Sequence, residues 1–232
     1  MFSGDVQVLV AAASELVITP RRKRWAHLSL CVLDAVFSIN ARYGGVVRVC
    51  HRHAEHAGLT EPLLPVADVD QVVGTGRKEP VIRFVELGHQ LGPEHLAGQV
   101  LRNRGRTSAR GGILKADAAI QYAQILATAA IRRLGDVAAL LVSPDTLTEV
   151  EAALRTVPGH GRGAHLSYLW MLAGDDQHVK PDRMVLRWLT HHLGRDVDVP
   201  EARTLLTQIA NHLGHTPWEL DHAIWRHQSG RS

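Results

Sequence analysis

Two stretches of the sequence contain residues whose types and spacing are typical of binding or catalytic sites. The first, VPGHGRGA, runs from Val157 to Ala164 and has three glycines at alternate positions behind a proline. The second, VKPDRMVLRW, contains Asp182, which follows Gly161 by 21 residues. Backbone amides freed by glycines can bind a phosphate, and a carboxylate can stabilise a developing positive charge. Together the two stretches are candidates for phosphate binding and for catalysis.

Each stretch also has a purely structural interpretation. The glycines fit an ordinary tight turn, because the runs on either side, LTEVEAALR and AHLSYLWML, both have apolar residues at helical spacing. Pro181 cannot continue a preceding helix but fits the first turn of the next one, so Asp182 is predicted to lie near a helix N-terminus. The helix dipole favours a carboxylate there, and Asp182 could be a capping residue alone.

The elements that must position these residues are predicted to be helices. Strand signals are scarce, and Gly or Pro separates runs of apolar residues at helical spacing. Residues 27–58 are predicted to form two helices that break near Gly44-Gly45, and Lys115 to Gly135 is predicted to be one long helix. The fold class is therefore predicted to be all-α, with roughly ten helices.

Composition and charge narrow the class of protein. Only four of the 26 basic residues are lysine, and the planar guanidinium of the arginines suits phosphates, although a GC-rich genome gives the same bias. Positive charge concentrates in RRKRW (Arg21 to Trp25) and in RNRGRTSARGG (Arg102 to Gly112). There is no apolar run long enough to span a membrane and no cysteine besides Cys31 and Cys50. The first residues carry Asp5 and Glu15 and lack a basic start, so a secretory leader is not expected. We therefore expect a cytoplasmic protein.

The hairpin and the downstream aspartate resemble the helix-hairpin-helix (HhH-GPD) DNA glycosylase superfamily. The hairpin of that superfamily reads Leu-Pro-Gly-x-Gly-x-x-(Thr/Ala), which VPGHGRGA follows with valine first, and its catalytic aspartate opens a helix at a similar distance downstream. ILKADAAIQYAQIL (Ile113 to Leu126) is similar to the superfamily's helix that begins with a Lys-Ala pair. LDAVFSINARY (Leu33 to Tyr43) is similar to the early helix that presents an amide side chain, here Asn40. The resemblance spans residues 27–190.

The resemblance implies a two-lobed helical fold with DNA bound in the cleft between the lobes. Residues 27–172 would form a central lobe that ends in the helix-hairpin-helix. Residues 1–26 and 173–232 would form the second lobe, which carries Asp182.

The activity that the resemblance implies is excision of a modified or damaged base from double-stranded DNA. The base is flipped out of the stack and its N-glycosidic bond is hydrolysed, with Asp182 as the catalytic residue. Superfamily members that also cut the strand place a lysine where Gly163 stands here, so we expect a monofunctional glycosylase, with Lys115 and Lys180 as alternative amines. The expected DNA contacts are Gly159, Gly161, Arg162, Gly163, Asn40, Arg104, Arg106, Lys115 and Lys180.

The same resemblance limits the expected cofactors and partners. A potassium or sodium ion at the hairpin backbone is expected, whereas an iron–sulfur cluster is not, because no cysteine follows Asp182. The fifteen histidines are spaced poorly for a metal site. We expect a monomer that is associated with the nucleoid of a prokaryote.

Several questions stay open at this point. The excised base is not specified, and the role could be base-excision repair or defence against phage DNA with modified bases. A non-catalytic helix-hairpin-helix DNA-binding protein is the alternative, although the chain length and Asp182 favour the enzyme. Six aromatic residues could stack on a base or belong to the core: Phe37, Tyr43, Tyr168, Trp170, Trp218 and Trp225.

Overall fold

The secondary structure is dominated by helices. The computed structural model describes residues 4–73, 79–158 and 164–230. In chain order these residues form α1 (Gly4–Ala13), β1 (Lys23–Trp25), α2 (Leu28–Phe37), α3 (Tyr43–His56), β2 (Leu63–Pro65), α4 (Val66–Val73), α5 (Ile82–Leu91), α6 (Pro93–His95), a π-helical turn (Leu96–Val100), α7 (Lys115–Thr128), α8 (Leu134–Leu141), α9 (Pro144–Arg155), α10 (Ala164–Ala173), α11 (Arg183–Leu193), α12 (Val199–Leu213) and α13 (Pro217–Gln228). The prediction of an all-α fold class is confirmed. Within these residues, no helix combines the length and the apolar character needed to cross a membrane.

The chain divides into two compact units, each with its own hydrophobic core. The larger unit is Arg22–Gly174, and the smaller unit combines Met1–Arg21 with Asp175–Ser232. The predicted lobe boundaries in the sequence, 26/27 and 172/173, lie within five residues of the unit boundaries, 21/22 and 174/175. The arrangement of the lobes around DNA stays a prediction.

The core of the larger unit is organised around α2. All ten residues of this helix are buried, and it packs against α3, α7 and α10. Its sequence, LSLCVLDAVF, is apolar on every side apart from Ser29 and Asp34, as expected for a helix surrounded by protein. The antiparallel pair β1–β2, with Lys23 opposite Pro65 and Trp25 opposite Leu63, is a small addition to this helical core.

A buried carboxylate connects four elements of the larger unit. Asp34 is 0% exposed, and its side chain accepts hydrogen bonds from Trp25 Nε1 (2.8 Å), the Tyr168 hydroxyl (3.0 Å) and the Tyr43 hydroxyl (3.3 Å). Burial, the first cause, and the neighbouring Asp34 raise the pKa of both tyrosines, so both hydroxyls stay protonated donors. These bonds join β1, α2, α3 and α10.

The smaller unit is a bundle of α1, α11, α12 and α13. Apolar residues from each helix meet in one cluster, represented by Leu9, Trp188, Leu206 and Ile224. Two of the helices begin with local signals that are legible in the sequence. In α12, Asp198 caps the first turn and Pro200 lies within it; in α13, Thr216 and Glu219 form a reciprocal capping box.

Two predicted helix boundaries are wrong. The break predicted at Gly44-Gly45 occurs earlier, between Phe37 and Tyr43, and both glycines belong to the first turn of α3. The Gly45 N–H donates to the Arg42 carbonyl at 2.9 Å, so the glycine pair belongs to the first turn and does not interrupt the helix. The break instead includes Asn40, whose φ is +48°.

The predicted single helix from Lys115 to Gly135 is two helices. The first ends at Thr128, Ala130 takes a φ of +62°, and α8 begins at Leu134. The carboxylate of Asp136 accepts hydrogen bonds from the N–H groups of Arg132 and Arg133, each at 2.8 Å. A carboxylate that satisfies free N–H groups at a helix start stabilises a new helix there.

The Asp34 interactions predict a large loss of stability from a small substitution. Asp34→Asn keeps the shape but replaces one acceptor oxygen with an NH₂ group that faces a donor. The free energy of unfolding should fall by about 3 kcal/mol in urea titrations. Asp145→Asn, at an exposed position in the first turn of α9, is the control and should change it by less than about 1 kcal/mol. Equal effects of the two substitutions would contradict the central role of Asp34.

Candidate active site

Asp182 is the N-cap residue of α11. Its backbone is extended (φ −81°, ψ −176°), and its Oδ1 accepts hydrogen bonds from the backbone N–H groups of Met184 (2.7 Å) and Val185 (3.2 Å). The side chain is only half-buried. The helix dipole favours a negative charge at such a position. The predicted place of Asp182 at a helix start is therefore observed, while its catalytic role stays a prediction.

The segment before α11 explains why the helix begins at this residue. Pro181 is buried and lies directly before the N-cap rather than in the first turn. The N–H group of Asp182 donates to the Lys180 carbonyl at 2.6 Å, so the chain turns tightly around the proline. Val185 and Trp188 anchor the apolar face of α11 in the core. The carboxylate of Asp182 is thus held in place by its own helix and by the preceding turn.

A second carboxyl group, Asp221 of α13, is connected to this segment. Asp221 is 6% exposed, and its Oδ2 accepts a hydrogen bond from the backbone N–H of Lys180 at 2.7 Å. Burial raises the pKa of Asp221 to about 8; the negative charge of Asp182 raises it too, whereas the Lys180 N–H lowers it. The carboxyl group of Asp221 is consequently mostly neutral at pH 7.

Asp221 was not identified from the sequence, although a signal was present. The buried positions of α13 are Pro217, Leu220, Asp221, Ala223 and Ile224, which form one side of the helix. A lone carboxylate on an otherwise apolar helix face must be neutral or hydrogen bonded when the helix is packed. The place of Asp221 on the apolar side of α13 therefore indicates a buried carboxyl group.

The larger unit brings together two segments that were predicted to contact DNA. The Lys115 ammonium donates to the carbonyls of Phe37 (3.1 Å) and Ile39, the residue before Asn40. The Lys115 N–H donates to the Gly105 carbonyl at 2.8 Å, in the arginine-rich loop. Asn40 and this loop are therefore both adjacent to Lys115, and Asn40 is exposed to solvent.

The side chain of Lys115 is hydrogen bonded within the protein. It is 5% exposed, and its ammonium donates to the backbone carbonyls of Phe37 and Ile39 at the end of α2. Burial lowers the pKa of Lys115 to about 8. Its ammonium bonds carbonyls at and after the last residue of α2, so Lys115 has a structural role; its phosphate contact and its role as an alternative amine stay predictions.

The arginine-rich loop is folded back on itself between the π-helical turn and α7. Thr107 N–H donates to the Ile113 carbonyl at 2.9 Å, and Ile113 N–H returns a bond to Thr107 Oγ1 at 3.2 Å. A Cβ atom at Gly112 would lie 2.3 Å from the backbone nitrogen of Ser108, so this close approach requires glycine. The glycine-rich composition of the loop thus has a structural reason.

Two of the three arginines that were predicted to bind DNA, Arg104 and Arg106, lie on this loop with exposed side chains. Arg104 forms an ion pair with Glu94 (2.8 Å), and Arg106 donates to the Gly112 carbonyl (2.8 Å). An exposed ion pair contributes little to stability, so a phosphate could replace Glu94 at small cost. Their DNA contacts stay predictions, as does that of Lys180, whose side chain is half-buried.

The predicted hairpin residues Gly159, Gly161, Arg162 and Gly163 lie outside the residues that the structure describes. The elements on either side are described. The helix α9 ends at Arg155 and α10 begins at Ala164, so the motif connects two helices. That connection is the local context in which a helix-hairpin-helix motif occurs.

The basic segment RRKRW is less exposed than its composition suggests. The Arg21 side chain is 8% exposed; it lies 4.2 Å from the centre of the Trp218 ring and 3.0 Å from an Asp176 oxygen. Trp25 donates to Asp34, and Arg24 donates to the Ala173 carbonyl at 2.6 Å. Much of this predicted positive patch therefore has a packing role.

The six aromatic candidates fall into three groups. Phe37 and Trp170 are fully buried core residues. Tyr43 and Tyr168 donate to Asp34. The remaining two belong to a row along α13 in which the His222 ring stacks on both neighbours; they are Trp218 and Trp225. None of these observations identifies a base pocket.

No group of three His, Cys, Asp or Glu side chains in the described part of the chain is arranged to hold a metal ion. The predicted absence of a metal cofactor nevertheless stays a prediction, as does the monovalent ion at the hairpin.

The capping geometry of Asp182 predicts different effects of two substitutions on stability. Asp182→Ala removes the acceptor of both N–H groups and should lower the free energy of unfolding by about 1 kcal/mol. Asp182→Asn retains a capping oxygen and should lower it by only a few tenths of a kcal/mol, roughly the difference between two good N-caps. Denaturant titrations of both variants measure the difference. An alanine variant as stable as the parent would show that the cap is not formed.

Comparison with known proteins gives one assignment. No curated protein and no solved structure matches the chain significantly. A family described as "Domain of unknown function (DUF8548)" matches residues 6–229, which include the whole larger unit and most of the smaller one. The chain therefore belongs to the DUF8548 family.

Proposed function

We propose that this protein is a monofunctional DNA N-glycosylase, which flips a modified base out of DNA and hydrolyses its N-glycosidic bond. The observation that carries the proposal is the carboxylate of Asp182, held at the start of α11 by the N–H groups of Met184 and Val185. Cleavage of an N-glycosidic bond builds positive charge on the sugar, and a fixed carboxylate stabilises that charge and can orient water.

The helices around the hairpin motif support the same proposal. The pattern VPGHGRGA connects α9 to α10, and Asp182 opens the next helix along the chain. Amides at the glycines would bind a backbone phosphate, which positions DNA without reading its sequence. The two-lobed arrangement with a DNA cleft, which the HhH-GPD resemblance implies, forms part of this proposal.

Exposed polar residues beside Lys115 supply further support. Asn40, Arg104 and Arg106 are exposed, and the segments that carry them both contact Lys115. Arginine binds phosphate oxygens with two parallel hydrogen bonds, and an amide can contact a base or the backbone. These residues would extend the DNA contact away from the hairpin.

The proposed substrate is double-stranded DNA that contains a modified or damaged base. The product is an abasic site that is not cut further, because Gly163 stands where strand-cutting members of the HhH-GPD superfamily have a lysine. Base-excision repair and defence against phage DNA with modified bases are both compatible with this chemistry.

A substitution at Asp182 tests the chemistry. Asp182→Asn keeps the helix cap but removes the charge that faces the sugar cation, so excision should slow roughly 10²- to 10³-fold. Duplexes that each contain one modified base are incubated with the protein, and abasic sites are scored after heating in alkali. Asp198→Asn, which changes the N-cap of α12, is the matched control and should excise at the parental rate.

The outcome also separates the enzyme from a non-catalytic DNA-binding protein. If the parent binds DNA but excises no base in the panel, or if Asp182→Asn excises at the parental rate, Asp182 is a cap and not a catalytic residue. Borohydride should trap little covalent protein–DNA adduct; efficient trapping would contradict the monofunctional mechanism and indicate Lys180 or Lys115.

DNA binding is tested separately. Gly161→Val should weaken binding to every duplex alike, because a branched side chain obstructs the close approach of a phosphate to the hairpin amides. The logarithm of the parental affinity should fall linearly with the logarithm of the salt concentration. Parental affinity in a folded Gly161→Val protein, measured by fluorescence anisotropy, would refute the hairpin contact.

A further inference from the structure

We infer that Asp221 is a positioning residue for Asp182: its buried carboxyl group holds the backbone of Lys180 and thereby fixes the turn from which α11 begins. Lys180 lies two residues before Asp182, and its N–H group donates to Asp221 Oδ2 at 2.7 Å. Because Asp182 is the reactive carboxylate only under the proposed function, the catalytic meaning of this contact rests on that function.

The hydrogen bonds form a continuous path from Asp221 to the Asp182 carboxylate. Asp221 of α13 binds the Lys180 N–H, the Lys180 carbonyl binds the Asp182 N–H at 2.6 Å, and Asp182 Oδ1 binds the N–H groups of Met184 and Val185. Pro181, between Lys180 and Asp182, has no N–H to offer and a nearly fixed φ. The short turn is therefore stiff, and its anchoring to α13 determines where the Asp182 side chain lies.

A second contact attaches the same stretch to α13. The N–H group of Trp218 donates to the Asp176 carbonyl at 3.0 Å, and Arg21 lies over the Trp218 ring and beside the Asp176 carboxylate. The chain from Asp176 to Asp182 is thus attached to α13 at both ends. Asp221 provides the attachment nearer to the reactive carboxylate.

The charge on Asp221 bears on this role. The charged groups that act on it are Asp182, which raises its pKa, and Lys180, which lowers it; burial is the largest influence and raises the pKa to about 8. Lys180 lies in the turn before α11, and Asp182 is the N-cap of that helix. The helices that pack against α13 are α11 and α12. Below about pH 8 Asp221 is neutral and accepts the Lys180 N–H without repelling Asp182. Above it, two like charges lie close together and the turn should loosen.

Two substitutions and a matched control test the inference. Asp221→Ala removes the acceptor, Asp221→Asn keeps an acceptor oxygen in a side chain that stays neutral at every pH, and Asp198→Ala removes the cap of α12 in the same unit. Hydrogen exchange of the Met184 and Val185 amides, measured by NMR on the full chain, reports whether Asp182 still binds them. This measurement needs no substrate.

We expect Asp221→Ala to lower the protection of these two amides about tenfold, Asp221→Asn to restore most of it, and Asp198→Ala to leave it unchanged. Excision in single turnover should fall about tenfold in Asp221→Ala with the DNA dissociation constant within about twofold of the parent, and recover in Asp221→Asn. Parental amide protection in Asp221→Ala would overturn the inference. Lost protection with no excision by any variant would refute the proposed function alone.

The pH dependence decides the matter if Asp221→Ala does not fold. Protection of the two amides, corrected for intrinsic exchange, should fall in the parent as the pH rises through about 8 but not in Asp221→Asn. A raised folded-state pKa contributes stability that is complete below the unfolded-state pKa and is lost as the pH rises through the folded-state pKa. The parent's denaturation midpoint should therefore decline relative to Asp221→Asn from about pH 4 to about pH 8. Identical pH profiles of the two proteins would overturn the inference.

Discussion

A carboxyl group inside a protein must be hydrogen bonded or neutral, and each compact unit of this protein contains one. In the larger unit, Asp34 accepts side-chain bonds from Trp25, Tyr43 and Tyr168, so elements far apart in sequence share one acceptor. In the smaller unit, Asp221 accepts a backbone N–H and becomes neutral by burial. The first arrangement constrains side chains around α2, and the second constrains the backbone before α11. The packing of both units depends on satisfying these two groups.

Lys115 shows how one buried cation can organise a surface. Its ammonium is bound to carbonyls at the end of α2, and its backbone is bound to the arginine-rich loop, so the side chain contributes structure beneath residues that remain exposed. Asn40, Arg104 and Arg106 are exposed residues of the two segments that Lys115 contacts. In the proposed DNA contact, Lys115 supports the positions of the segments that carry these three exposed residues.

Local signals in the sequence predicted the helical fold class and the place of Asp182 at a helix start, but not its link to Asp221. Pro181 and Asp182 correctly indicated the start of α11, because a cap depends on a few adjacent residues. The roles of Lys115 and Asp221 were not predicted, since each depends on partners that only the tertiary fold brings near. The break after Thr128 was missed because the apolar periodicity continues through it. The site is thus predictable where it is a cap and unpredictable where it is a contact between helices.

The division of the chain has a consequence for the order of folding. The larger unit is one continuous stretch, Arg22–Gly174, whereas α1 packs with α11 and α12, which follow that stretch. During synthesis the larger unit can fold while α1 still lacks its neighbours, and the smaller unit closes only after α11 to α13 have emerged. The entropy of joining the two distant segments is lower when the intervening chain is already compact, because its ends are then held closer together than in a flexible loop. The carboxylate of Asp182 would accordingly take up its position late, when α11 joins α1, α12 and α13.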